Sequence, residues 1–426
     1  MRFGTISAVW VVLAAVISGA AAPAVHGQAE QFFARDRNVA VLERPRPEYD
    51  APGVRSGAFI YRPSIELGLE YDDNIFATGA GEESDFIATL RPQINVESTW
   101  SRHEFTADAM VERRQYFDFS DESVWNATAG AAGRADIQRG FTVSAGGRYS
   151  KLTEDRSAAG LTSIAAEPIR YDAGAVFGEL ARESGRFRLT GRINLDTYDF
   201  DDAPLIGGGV GDQDFRDRDE LAFTARADYA VTPDTALFAR AVFNERDYDL
   251  APPAVTFERG SSGYTFDAGA DFDIGGVARG ELALGYTEQD YDSAAFPDVD
   301  GLSVNAQVEW FPTQLTTVTL QGERSIRDSA IVNSGAFVAT RASAQVDHEL
   351  LRNLVITGRV NLGEDDYEGV DRTDDRFEVM ASATYLANRN VGVRASLSRL
   401  DENSSGAAAR PDFTENRFVV SLQFRL

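Results

Sequence analysis

Cysteine is absent from all 426 residues. That removes a disulfide framework, a thiolate metal site and a cysteine nucleophile together. Histidine is scarce, at His26, His103 and His348, which leaves little for zinc or a histidine-based triad. Lysine occurs once, at Lys151, so positive charge rests almost wholly on arginine. Acidic residues number 67 against 41 basic ones, a formal net charge of -26, which speaks against nucleic acid as a partner. Past the N-terminus no apolar run nears the ~20 residues that a spanning helix needs. With a mean hydropathy of -0.27, a helical membrane protein is excluded. Disorder fails differently: 27 Phe and 14 Tyr are too many for a chain unable to bury apolar surface. Roughly 150 residues per domain would allow about three soluble domains, but large β-barrels break that prior.

The chain opens with a leader. Arg2 is followed by the apolar run Ile6 to Ile17, and Val25-His26-Gly27 fits a small-residue cleavage site before Gln28. Residues 1–27 therefore read as a secretory signal peptide. No cysteine follows to carry a lipid anchor. The exported chain is expected in the periplasm, outside the cell or in an outer membrane.

Beyond the leader the dominant pattern has a period of two. In residues 187–196, Phe187, Leu189, Gly191, Ile193 and Leu195 alternate with Arg188, Thr190, Arg192, Asn194 and Asp196. The same rhythm runs through 86–97, 354–362 and 418–426. This is the signature of strands with one apolar and one polar face. The runs often reach ten residues, long for a soluble sandwich and enough to cross a bilayer at a tilt. An outward apolar face and a polar lumen account for the rungs, and lipid demands closure.

Connections alternate in length as well. Short ones lie at 100–103, 182–186, 231–234, 311–314 and 387–390; longer acidic ones lie at 153–168, 199–219, 248–263, 290–301, 363–375 and 401–416. The expected fold is all-β: a transmembrane antiparallel β-barrel of the outer membrane over residues 63–426. It has about eighteen strands, with sixteen as the alternative, short periplasmic turns and long acidic extracellular loops. Trp100, Trp125 and Trp310 fall at strand ends, where aromatic girdles form. The terminal Phe424-Arg425-Leu426 is the kind of ending that barrel assembly machinery reads. Outer-membrane lipid and lipopolysaccharide are the expected surroundings.

The polar parity gathers Arg91, Arg114, Arg148, Arg188, Arg192, Arg226, Arg240, Arg341, Arg359, Arg394 and Arg425 as lumen-lining residues. One reading is an arginine ladder facing anionic solute or polymer. The other is structural pairing with Glu97, Asp108, Asp196, Asp228, Asp271 and Asp347 on the same face. Acidic groups at Asp72-Asp73, at Asp212, Asp214, Asp217 and Asp219, and at 364–366 allow oxygen ligation of calcium or plain solvated loops. None has the spacing of a calcium-binding hand. Residues 28–62, with Pro45, Pro47 and Pro52, read as a flexible periplasmic arm, or alternatively as a lumen plug or a partner contact. No catalytic residue, metal ligand or cofactor is expected.

Four stretches carry a resemblance: RPRPEYDAPGVR at 44–55, PSIELGLEYDDNIF at 63–76, SDFIATLRP at 84–92 and WSRH at 100–103. Over residues 38–155 the chain resembles the second beta-barrel porin family. The resemblance implies an outer-membrane barrel of a Gram-negative bacterium, acting as a passage or partner in exopolysaccharide export alongside polysaccharide export proteins. Three functions follow as expectations: an export-linked channel, a diffusion porin for small solutes, or a closed barrel that anchors a secretion complex.

Overall fold

A computed structural model describes residues 39–158, 165–251, 257, 259–331 and 333–426. The expected signal peptide at 1–27 and residues 28–38 lie outside the described residues. Eighteen long strands follow one another. The first nine are β1 (Phe59–Asp72), β2 (Asp85–Ser98), β3 (His103–Tyr116), β4 (Val124–Gln138), β5 (Phe141–Thr153), β6 (Arg170–Ser184), β7 (Phe187–Phe200), β8 (Arg218–Thr232) and β9 (Thr235–Tyr248). The second nine are β10 (Ser261–Ile274), β11 (Ala278–Tyr291), β12 (Val299–Thr313), β13 (Thr316–Asp328), β14 (Ala336–Leu351), β15 (Leu354–Tyr367), β16 (Thr373–Leu386), β17 (Val391–Ser405) and β18 (Phe413–Arg425). Each pairs antiparallel with the next, and β18 pairs back onto β1 from Ser64↔Arg425 to Asp72↔Arg417. The sheet closes on itself, so no long strand is left with an unpaired edge.

The alternation maps directly onto the wall. On β7, Leu189 and Ile193 are 56% and 50% exposed, whereas Arg188, just before Leu189, faces inward and is 8% exposed. The whole molecule follows suit. Leu67, Phe223, Leu284 and Leu422 are exposed, while Asp228, Asp267, Glu281 and Asp347 are buried. A water-soluble protein has the opposite arrangement. Apolar outside and polar inside is the arrangement that lipid selects.

Alternation in the sequence puts strand starts at Asp85, Val124, Phe141, Thr235, Ala278, Thr316, Ala336 and Val391, among others, and strands begin at each of these eight. Others begin earlier: β1 at Phe59 rather than near Ser64, and β18 at Phe413 rather than near Arg417. About 9–11 tilted residues cross a membrane, but these strands run to 14 and 13 residues. The added residues, 59–63 on β1 and 413–416 on β18, break the clean alternation of apolar and polar rungs, yet backbone pairing continues through them.

One rim carries tight turns. Gly185, with φ +63°, occupies a left-handed position between β6 and β7 that a side chain would strain. The other rim carries the long loops. The loop between β7 and β8 contains a two-stranded ribbon, Ala203–Pro204 against Val210–Gly211. Before β1, Val54–Ser56 folds back on Phe59–Tyr61.

Candidate functional site: the barrel lumen

Inward parity brings the polar residues of all eighteen strands onto one continuous surface. Glu281, Gln307, Gln321, Ser343, Asn361 and Glu378 are successive register partners from β11 to β16. Gln307 and Gln321 point inward yet remain exposed, so this part of the lumen wall is open to solvent.

The expected lumen arginines all lie on the inward parity, and most are held by carboxylates. Arg91 Nε donates to Glu112 at 2.7 Å, and Arg114 pairs with Glu70 at 3.1 Å. Arg148 meets Asp108 at 2.7 Å and Arg192 meets Glu179 at 3.3 Å. Arg226 is shared between Asp228 and Glu281, and Arg240 pairs with Asp267 at 2.7 Å. Arg341 pairs with the fully buried Asp365. Arg188 is buried in the same wall. Rings add to the support: the guanidinium carbon of Arg226 lies 3.8 Å from the Phe238 centroid, and that of Arg192 lies 4.1 Å from Phe177.

Three arginines differ. Arg359 donates to the neutral Gln345 at 2.8 Å. Arg425 reaches the Tyr49 carbonyl at 3.4 Å, and its Nε is buried with no hydrogen-bond partner. Arg394 faces the lumen between Ser421 of β18 and Thr384 of β16. Among the described residues, none of the three has a carboxylate within salt-bridge reach, although Glu378 and Asp347 act on Arg359 and Asp50 on Arg425 from farther away. They sit in the short-turn halves of β15, β17 and β18, on one side of the lumen.

Toward the long-loop rim the lumen is crossed. The loop after β5 turns inward at 154–158. Asp155 pairs with Arg417 of β18 at 3.4 Å. Arg376 of β16 donates to the Ser157 carbonyl, and Arg410 donates to the Ala158 carbonyl at 3.4 Å. Arg376 and Arg410 also share Glu402. Burial pushes the Asp155 carboxyl up, but Arg417, Arg114 and two hydrogen bonds from Ser157 outweigh it and hold it below the usual carboxylate range. A second knot centres on Asp328, which takes Arg246 at 2.7 Å and Arg218 at 3.4 Å. Beside it Arg259, 1% exposed, donates to the carbonyls of Ser329 and Phe215. Sequence reasoning missed both layers, because their members sit in loops and strand tops where alternation has ended.

The acidic groups separate. Asp72 and Asn74 are not solvated ligands. Asp72 accepts from Arg417 at 3.0 Å, Asp73 accepts from the Asn416 backbone at 2.7 Å, and Asn74 donates to the Thr414 carbonyl at 2.8 Å. They stitch the seam between first and last strands. Asp365 likewise is buried against Arg341. Asp212 and Asp214 do converge, but on Asp202, with all three exposed and carboxylate oxygens within 4.8 Å. Asp217 turns away to accept the Phe200 N–H at 2.7 Å. Burial pushes its carboxyl up to about 6, opposed by that N–H and aided by Asp199, Asp214 and Asp249. Trp100, Trp125 and Trp310 face outward at strand ends, each about half exposed. Trp100 packs edge-on against Phe59, and Arg113 lies over Trp125.

A closed sheet with an apolar exterior and an ion-paired interior defines a membrane-spanning β-barrel. The chain belongs to the family described as "Putative beta-barrel porin 2", whose pattern spans residues 46–426. No curated protein matches it in sequence. Among solved structures it is similar to OpdK of Pseudomonas aeruginosa, solved with vanillate: 13% identity, 86% of this chain and 99% of that one, TM-score 0.46. OccK2 (OpdF) of the same species, in complex with glucuronate, gives 11% identity, 86% and 98% coverage, and a TM-score of 0.47. A BenF-like porin of Pseudomonas fluorescens Pf-5 gives 11%, 86%, 99% and 0.47. At these identities and scores the likeness is one of barrel form.

Proposed function

We propose that this chain is an outer-membrane channel of a Gram-negative bacterium that passes small anionic solutes. The observation that carries the solute class is the set Arg359, Arg394 and Arg425, which face the lumen without a direct carboxylate ion pair while most of their counterparts are paired. A guanidinium is always charged and offers a planar fork that matches a carboxylate. Eighteen strands enclose a lumen wide enough for water. In this reading the short-turn rim faces the periplasm, and the long acidic loops face outward. Outer-membrane lipid and lipopolysaccharide surround the apolar band, with Trp100, Trp125 and Trp310 at its borders.

Reversal potentials in planar bilayers test this. The wild-type barrel should favour anions at low salt, and R359Q/R394Q/R425Q should shift toward cations. The shift should shrink at high salt, where the screening length falls toward about 3 Å. An unchanged ratio in a variant that folds and conducts would refute the anion path. Exopolysaccharide export, which the family resemblance implies, requires a long polymer to pass the layer formed by Asp155, Ser157 and Ala158. Loss of extracellular polysaccharide on deletion, with small-anion uptake intact, would favour export instead.

A further inference from the structure

The residues before β1 lie across the short-turn mouth. Val41 is wholly enclosed, and its N–H donates to Thr317 Oγ1 of β13 at 2.9 Å. Glu43 takes Arg279 of β11 at 2.9 Å. Arg44 and Arg46 converge on Glu349 of β14, at 3.3 and 3.4 Å. Arg46 is 6% exposed and also donates back to the Val41 carbonyl at 2.7 Å. Arg352, in the turn after β14, donates to the Pro45 carbonyl at 3.1 Å. Arg425 of β18 reaches Tyr49. The contacts run from β11 to β18, so the segment spans the mouth as a chord.

Its chemistry suits a part that seats and leaves. Pro45 and Pro47 lack N–H donors and keep the segment from adding to the sheet as a strand. Its grip is mostly ionic and polar. Glu349 and Arg46 satisfy each other when enclosed, and both regain water when apart. Gly53 links the segment to the ribbon at Val54, with φ +73°. A side chain there would come within 2.8 Å of Ile60 Cγ2 and 2.9 Å of the Tyr61 carbonyl. Only glycine suits that corner.

We propose that residues 41–50 are a built-in stopper of the short-turn mouth, latched on Glu349 by Arg44 and Arg46 and hinged at Gly53. This rests on the channel reading above. The barrel exists to conduct, and the stopper sets how much of the lumen is open to the short-turn side.

The cysteine-free chain makes the test clean. V41C/T317C, treated with a short bismaleimide in the folded barrel, should cross-link within one chain, whereas V41C paired with T106C on the far wall should not. Removing residues 39–52 should raise single-channel conductance at least twofold, and E349Q in the full chain should raise the fraction of time spent open. The cross-linked form should stay at the low level. Heat-modifiable gel mobility confirms that each variant is folded. Equal conductance of wild type, truncated form and E349Q would overturn the stopper while leaving the channel intact. Failure of the V41C/T317C cross-link would overturn the seating. No current from any folded form would sink the channel reading and the stopper with it.

Discussion

Arg226 holds two carboxylates at once, Asp228 at 2.8 Å and Glu281 at 2.7 Å, from strands three apart in the wall. Asp228 and Glu281 are 3% and 8% exposed. Removing the cation strips two buried carboxylates of their nearest positive charge, with Arg240 remaining 4.0 Å from Glu281. Arg226→Gln should cost roughly 3 kcal/mol, the lower end for a broken buried pair because lumen water is near. The urea midpoint in lipid vesicles measures it. R226Q/D228N/E281Q should recover most of the loss; a triple variant as weak as the single one would mean that the charges are not the cause.

Leu189 and Gln307 make a matched pair for the inverted packing, one exposed to lipid and one to the lumen. Leu189→Arg should destabilise the barrel by roughly 2–4 kcal/mol if the site lies near mid-bilayer. Gln307→Arg should assemble like wild type. Heat-modifiable mobility after refolding separates them, and equal behaviour would undo the assignment of faces.

Asp217 supplies a pH dependence. Its carboxyl in the folded loop is raised to about 6, above the usual unfolded value of about 3.9. Between those values the folded loop keeps a proton that the unfolded loop has lost. Stability of this loop is therefore greatest below about pH 4 and declines as pH rises through 6. The Asp217 and Asp249 amides, bonded to the Asp214 and Asp217 carbonyls, should exchange more slowly at pH 5 than at pH 7 after correction for intrinsic rates. Asp217→Asn should abolish the difference; its persistence would point to another group.

Asp155 anchors the crossing loop from the opposite side of the charge scale. Held below the usual carboxylate range, it stays ionised at every physiological pH. Asp155→Asn should loosen the loop from Arg417 and admit larger solutes. Liposome swelling with sugars of increasing size measures the limit. An unchanged limit would show that the loop does not bound the path.

Topology has its own check. Protease added to whole cells should cut within the exposed stretch at 206–210 and spare the turn at Val231–Asp234. The reverse pattern would turn the barrel upside down in its membrane.

The wall was legible because each rung reports its own environment. Leu189 beside Thr190, or Val420 beside Ser421, needs no distant partner to be read. The seam was not legible. Tyr71-Asp72-Asp73-Asn74 looks like a solvated acidic loop until Arg417, 345 positions away, is placed against it. Arg46 gives no local hint of Glu349, 303 positions on. The lumen arginines were half legible: parity put them inside, but whether an acid reaches each one depends on register. Arg240 meets Asp267 directly across β9 and β10, whereas Arg394 meets Ser421.

The seam also constrains how the molecule comes into being. Ser64 pairs with Arg425 and Leu67 with Leu422, so the first strand's outer neighbour is the last strand made. Until synthesis ends, β1 has one side with nothing to bond to, and every partial sheet carries two raw edges. Such edges recruit whatever strand is nearby. Closure is thus a terminal event, and loop-closure entropy across nearly the whole chain opposes it. Before closure the chain has to be kept shielded from such pairing. A truncation that deletes β18 would do more than shorten the barrel by one stave. It would leave Asp72 facing no cation and β1 facing no neighbour, and the product would aggregate rather than close as a smaller ring.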